Sequence, residues 1–284
     1  MIKSSVLEFH ETFQPEMQYI AKILKLAAEN YSGTKFEISD YTGIPTGKQK
    51  GKVEPHIRYA RCMGLINYSI ENSVYSLQLT PLGEEVFVQD PYLHEDITLW
   101  LCHYGMTQRG SFAPQWEYLV HSVHPGFGEK ISQERLFSLA STWCDVSREN
   151  MSRKVFSVVK NCYTDGCFQR LDFLSWEEIE LGEKERLEFR EHPEKFDLIF
   201  AYAYALLDSW EKVFPDKQEI TDFDLRREIG LDKIFGLNED EYNYVIDSLA
   251  YEGFITVNRQ LYPATIIRIS NSKQILSQMY SRLL

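Results

Sequence analysis

No stretch of this 284-residue sequence approaches the ~18 consecutive apolar residues that a transmembrane helix needs. No apolar segment follows the opening Met-Ile-Lys-Ser-Ser, so nothing there reads as a secretory signal. Cysteine is too scarce and scattered for a disulfide framework. Cys62, Cys102, Cys144, Cys162 and Cys167 make five, an odd number. Reduced thiols in a cytoplasmic protein are the expectation. Exact repeats and low-complexity tracts are absent. Basic residues are in the minority, 30 against 42 acidic, for a formal net charge of −12. As an average, that argues against a protein that coats nucleic acid through bulk positive charge. Core-forming residues, by contrast, are plentiful. Apolar residues are 44% and aromatics 14%, which excludes disorder and allows roughly two domains.

The average charge hides a segmented distribution. Residues 44–66 hold five bases (Lys48, Lys50, Lys52, Arg58, Arg61) against Glu54 alone. Residues 71–98 hold six acids and no base, and residues 172–197 hold ten acids against four bases. Residues 255–284 hold four bases, Arg259, Arg268, Lys273 and Arg282, and no acid.

The apolar spacing of Met17, Ile20, Ile23, Leu24 and Ala27 predicts a helix. Glu37–Gly43 adds one or two helical turns, and Gly43-Ile-Pro-Thr-Gly47 is a turn. Pro55 suits the start of a third helix, which closes at Gly64. Ile66, Tyr68 and Ile70 alternate, Glu71-Asn-Ser73 turns, and Tyr75, Leu77 and Leu79 alternate again. This order predicts a winged helix-turn-helix whose helix after the turn reads DNA and whose hairpin is the wing. Thr80-Pro81 and Asp90-Pro91 each start a further helix. Gly105–Gly128 reads as an irregular connection. Helices are expected near 132–143 and 148–162. The acidic stretch 175–195 reads as a solvated helix with a loop, and is a candidate hinge. Phe196, Ile199, Ala203, Leu206 and Trp210 form an apolar helix face. The grammar then recurs over about 216–271: Glu252-Gly253-Phe254-Ile255 echoes Met63-Gly64-Leu65-Ile66, and a second hairpin surrounds Pro263. An amphipathic helix through Ile275, Met279 and Leu283 ends the chain. The expected class is mainly α with small β-hairpins (α+β). Two tandem winged-helix-like units, 1–106 and 196–284, are joined by a helical middle region, 107–195.

Chemistry is sought in that frame. Glycines let the basic turn approach phosphates closely, and lysines and neutral donors bind them. Thr46, Lys48, Gln49, Lys50 and Lys52 are therefore candidate backbone contacts. His56, Arg58 and Arg61 lie on the helix that a major groove admits. Arg153 and Lys154, at the start of the 148–162 helix, and Arg259 and Arg268, in the second wing, are supplementary DNA contacts. The second unit's own third helix carries Glu239, Asp240, Glu241 and Asp247, which repel phosphate. It is expected to meet protein or to self-associate, as in a homodimer. The Gly43–Gln49 segment is no nucleotide loop: three residues, not four, separate its glycines, and Gln49 stands where Ser or Thr binds magnesium. His121-x-x-His124 with Cys144, or Cys162 with Cys167, lacks the spacing of a closed metal site. No metal or cofactor is expected. An enzyme acting on DNA through His94, Glu95, Asp96 and His103 is the alternative chemistry, and no sequence-linked nucleophile supports it.

Four segments together resemble the bacterial domain of unknown function 4007 family. They are His10-Glu-Thr-Phe13, the basic turn and helix at Gly43–Ile66, Leu79-Thr-Pro-Leu-Gly83, and Asp90-Pro-Tyr-Leu-His-Glu-Asp-Ile-Thr-Leu-Trp-Leu-Cys-His103. The last is the most specific, and the resemblance is clearest over residues 9–106. Gly47-Lys48-Gln49 departs from a Gly-Lys-Asn-like element of the family. The resemblance implies an accessory protein encoded beside sulfurtransferases, in DNA phosphorothioation or anti-phage systems. With the residue reading, the expectation is a non-enzymatic DNA-binding accessory protein, with double-stranded DNA and a protein of the sulfurtransferase or modification machinery as partners. An adaptor without DNA binding, or a regulator of the defence operon, are the other readings.

Overall fold

A computed structural model describes residues 1–124, 130–177, 186–191, 198–260 and 262–282. After one helical turn, α1 (Ser4–Leu7), a first unit runs through α2 (Met17–Ala28), β1 (Ser32–Thr34), α3 (Lys35–Thr42) and α4 (Val53–Cys62). It ends in the hairpin β2 (Ile66–Glu71) and β3 (Val74–Leu79). Helices α5 (Pro81–Gln89) and α6 (Asp96–Thr107) follow. A second unit has α7 (Pro114–Tyr118), continued as a wider turn over Leu119–Val123, then β4 (Lys130–Ser132) and α8 (Gln133–Trp143). Next comes α9 (Arg148–Met151), which passes through Ser152–Phe156 into α10 (Ser157–Thr164). Its strands are β5 (Leu174–Glu177) and β6 (Arg186–Phe189). The third unit runs through α11 (Ile199–Val213), β7 (Glu219–Thr221), α12 (Asp222–Asp224) with its extension Leu225–Ile229, α13 (Leu231–Phe235) and α14 (Glu239–Tyr251). It ends in β8 (Ile255–Asn258) and β9 (Thr265–Arg268), and α15 (Ser272–Leu276) follows.

The chain is thus a mixed, mainly helical protein, and its described residues form three small antiparallel sheets of identical topology: β1-β3-β2, β4-β6-β5 and β7-β9-β8. Local chemistry repeats with the topology. Each short first strand ends on a hydroxyl residue that caps the next helix: Thr34 accepts from the Glu37 amide, Ser132 from Arg135 and Thr221 from Asp224. Each hairpin is entered from a left-handed residue, at Gly64 (φ +75°), Asp172 (φ +48°) and Gly253 (φ +80°). A buried apolar pair follows each time: Leu65-Ile66, Phe173-Leu174 and Phe254-Ile255.

Several expectations change. The middle region is not purely helical but carries a sheet of its own. The acidic stretch expected as a helix contributes a pair of short strands instead, because Leu187 and Phe189 alternate inward while Arg186 and Glu188 stay partly exposed. Its segments 178–185 and 192–195 lie outside the described residues, as do Phe196 and Leu283. The connection at 105–128 is helical over Pro114–Val123, with Gly126 and Gly128 outside the described residues. Gly33 pairs with Tyr75 inside β1, a strand too short to leave a sequence period. Pro55 lies inside the first turn of α4, which begins at Val53. The last helix stops at Leu276.

The core centres on α6, where every residue from Ile97 to Thr107 is buried. His103, fully buried, ties the units together: Nδ1 lies 2.6 Å from the Tyr163 hydroxyl on α10, and Nε2 lies 2.8 Å from the Ile234 carbonyl on α13. Gly105 lets α6 press against the end of α4, since a Cβ there would fall 2.6 Å from the Met63 carbonyl group. Among the described residues, no helix is long and apolar enough to cross a membrane.

Candidate nucleic-acid interface

The face of α4 that would meet DNA is covered. Residues 7–16 lie across it with Trp116 of α7. Phe9 packs on Tyr59 and Trp116, and the Tyr59 hydroxyl donates to the Phe13 carbonyl at 2.8 Å. The cations on and before that helix are satisfied from the same segment. Lys52 pairs with Glu16 at 2.6 Å, and Arg58 pairs with Glu11 at 2.9 Å. His56 is fully buried: its Nε2 accepts from the Glu16 amide at 3.1 Å, and Nδ1 donates to the Lys52 carbonyl at 2.6 Å. Burial lowers its pKa, which keeps it neutral. His56 is therefore closed off from solvent, and Arg58 is half-buried and already engaged by a carboxylate. The cause is tertiary: partners up to 49 residues away in sequence take the side chains that the helix alone would show to solvent.

The basic turn itself remains open. Lys48, Gln49 and Lys50 are exposed, and Thr46 is half-buried. Gln49 and Lys50 line a groove of about 500 Å³ together with Arg153 and Lys154, and Glu8 and Glu11 line it as well. Two segments a hundred residues apart in sequence thus converge. Arg153 is exposed, and Lys154 pairs with Glu8 and donates to Ser4 Oγ at 3.0 Å. Arg259 and Arg268 lie elsewhere, in the third unit. Arg259 is held by Asp247 at 2.5 Å, and Arg268 lies over the Trp210 ring.

The His10-Glu-Thr-Phe13 turn completes the groove. Glu11 (φ +49°) and Thr12 (φ +72°) are successive left-handed residues, and neither is glycine. A β-branched residue there is strained, and such strain gathers at functional sites. The turn is locked from within. The Thr12 amide donates to His10 Nδ1 at 2.9 Å, and the Phe13 amide donates to the His10 carbonyl at 2.8 Å. His10 is 1% exposed, and its Nε2 finds no acceptor at hydrogen-bonding geometry among the described residues. Burial holds its pKa down to about 4, so the ring is neutral near pH 7. Sequence reasoning singles out His10 but does not place it beside the basic turn. A signal is present: the motif sets three polar residues in a row with no helix or strand period.

Other candidate chemistry is absorbed by packing. His103 is in the core, and Asp96 pairs with Arg170. His121 Nε2 lies 2.9 Å from the Thr107 carbonyl oxygen. All five cysteines are free, and only Cys167 is not fully buried. Among the described residues, no group of three or more His, Cys, Asp or Glu side chains is placed to hold a metal ion.

Fold and groove together define a class: three helix-and-hairpin units packed on one another, with a groove lined by three bases and two glutamates where the first two meet. The chain belongs to the protein family of unknown function DUF4007, which it matches over residues 8–280. It is similar in fold to the crystal structure of SspB. The TM-score is 0.74 at 17% identity, over 97% of this chain and 87% of that one. It is equally similar to magnesium ion-bound SspB, with TM-score 0.74 at 16% identity over the same shares. No curated protein matches the sequence.

Proposed function

We propose that the protein is a DNA-binding accessory factor of a bacterial DNA-modification or defence system, of the phosphorothioation type that its family resemblance implies. In this reading each unit is a winged helix, with α2, α3 and α4 as the helices of the first and β2–β3 as its wing. Duplex DNA lies along the groove at the first two units and not on the face of α4. The observation that carries this is the convergence of Lys50, Arg153 and Lys154 on one groove, with exposed Lys48 beside it. Lys48 and Lys50 have no carboxylate partner among the described residues, so they are available to phosphates. The protein catalyses nothing itself and positions a sulfurtransferase-type partner, which meets its acidic surfaces.

The test is fluorescence anisotropy with a labelled duplex across a salt series. Affinity is expected to fall steeply with salt. Changing Lys48, Lys50 and Arg153 together to Ala lowers the salt slope by about one for each phosphate that is no longer neutralised. An unchanged affinity and slope in that variant overturns the assignment. The covered face of α4 favours a second reading, an adaptor without DNA binding. That reading predicts no duplex binding by wild-type protein and co-purification with the sulfurtransferase.

A further inference from the structure

Arg61 is expected at the DNA, but the structure turns it away from the basic groove. It reaches a cleft of about 460 Å³ between the first and third units, within the size range of small-molecule sites. The floor is apolar, formed by Met63, Leu82 and Leu276. The rim is cationic: Arg61 is joined there by Arg109 after α6, Lys212 on α11 and Lys273 on α15. The only carboxylate lining the cleft among the described residues is Asp208, and it is already engaged. It accepts from the Tyr104 hydroxyl at 2.6 Å and from Lys212 at 2.5 Å. Arg61, Arg109 and Lys273 have no carboxylate partner among the described residues. Four cations against one acid leave a surplus of +3 in a half-enclosed space, an arrangement that concentrates anions.

The aromatic side of the cleft is equally specific. The Arg61 guanidinium lies 3.8 Å from the centre of the Phe112 ring and 5.3 Å from that of Tyr68. Its Nε is buried and has no hydrogen-bond partner among the described residues. Phe112 stays 56% exposed, although one face carries the guanidinium. A large exposed ring stiffened by a stacked cation is a platform on which a planar base stacks. Gly110 (φ +73°) beside it has no atom within 4 Å of where a Cβ would stand, so the backbone there is open to a ligand.

We propose that this cleft binds a nucleoside phosphate, with the base against Phe112 and the phosphates against Arg109, Lys212 and Lys273. The same chemistry is offered by a free nucleotide and by the 5′-phosphorylated end of a DNA strand. The site is separate from the duplex groove and does not depend on it.

Isothermal titration of the full chain with ATP, AMP, adenosine and inorganic phosphate tests the proposal. A second arm uses a short oligonucleotide with a 5′-phosphate or a 5′-hydroxyl. The nucleotides are expected to bind, with adenosine at least about tenfold weaker through loss of the charged hydrogen bonds and phosphate at least about tenfold weaker through loss of the base stack. Preference for the 5′-phosphorylated oligonucleotide without nucleotide binding assigns the ligand to a strand end, within the proposal. Arg109 and Lys273 are exposed, so the variant Arg109→Glu with Lys273→Glu is expected to fold, which its melting curve checks. It should lose binding by at least about tenfold for each charge-assisted hydrogen bond removed and keep duplex binding at the groove. Failure of both probe sets, or equal binding by the folded variant, overturns the site whatever happens at the groove.

Discussion

The third helices of the first and third units hold the same place in the same topology and have opposite surroundings. Aligned on Gly64 and Gly253, Cys62 corresponds to Tyr251, Arg58 to Asp247 and Pro55 to Tyr244. Cys62 is 3% exposed and Tyr251 90%. Pro55 is buried, whereas Tyr244 is open. Residues 7–16 and Trp116 cover α4, and no equivalent segment lies on α14 among the described residues. Topological position therefore does not fix what surrounds a helix; the segments packed against it do. The charges agree with this. The acids of the covering segment meet the bases of α4, whereas α14 presents Asp240, Tyr244 and Tyr251 uncovered.

The largest test of this contrast removes the cover's anchor. Trp116→Ala is expected to cost about 3–5 kcal/mol in urea unfolding, as for other buried aromatics. Tyr251→Ala, on the open helix, should stay within about 0.5 kcal/mol. Similar losses in the two variants would break the comparison.

A second test uses acid. The His10 pKa is held at about 4, whereas an unfolded histidine titrates near 6.5. Between those values the unfolded chain takes up a proton and the folded chain does not, so stability falls as pH falls through that window. At about 1.4 kcal/mol per unit, His10 alone accounts for a loss on the order of 3 kcal/mol. Buried His121 (about 3) and half-buried His124 (about 4) act in the same direction. Replacing His10 with Gln should flatten the slope of unfolding free energy against pH between 4 and 6.5 without abolishing it. An unchanged slope would mean that the turn opens in acid before the molecule unfolds.

The smallest effects concern the residues that align the units. Gly64→Ala and Gly253→Ala should each cost about 1–2 kcal/mol, the left-handed penalty, because no atom stands closer than 3.7 Å to either added Cβ. Asp172→Gly should change stability by less than about 1 kcal/mol. It relieves the same strain but gives up the pair with Arg190 at 2.8 Å. Thermal unfolding of the three variants ranks them.

Helices with a clean apolar stripe, such as α2 and α14, and the alternating hairpin at 66–79 are legible from spacing alone. The middle unit is not. Asp172 stands where its neighbours have glycine, and the strands it leads to are four residues long and interrupted by acids. Half of the site is legible, because Lys48, Gln49, Lys50, Arg153 and Lys154 stand out by charge and position. The fates of Lys52, Arg58 and Arg61 are not. A cation on a helix face looks the same in sequence whether it awaits a phosphate, a carboxylate 47 residues away or a phenylalanine ring. The left-handed turn at Glu11-Thr12 is hidden because its residues do not favour that conformation.

The buried helix α6 has a mechanical consequence. With Ile97–Thr107 wholly enclosed and His103 bonded to both α10 and α13, no unit can swing about it without exposing apolar surface and breaking buried hydrogen bonds. The units are therefore packed around α6 rather than strung along the chain. Whatever is held at the groove between the first two units stands at a fixed distance and angle from whatever is held at the third, so the chain sets their spacing like a gauge block.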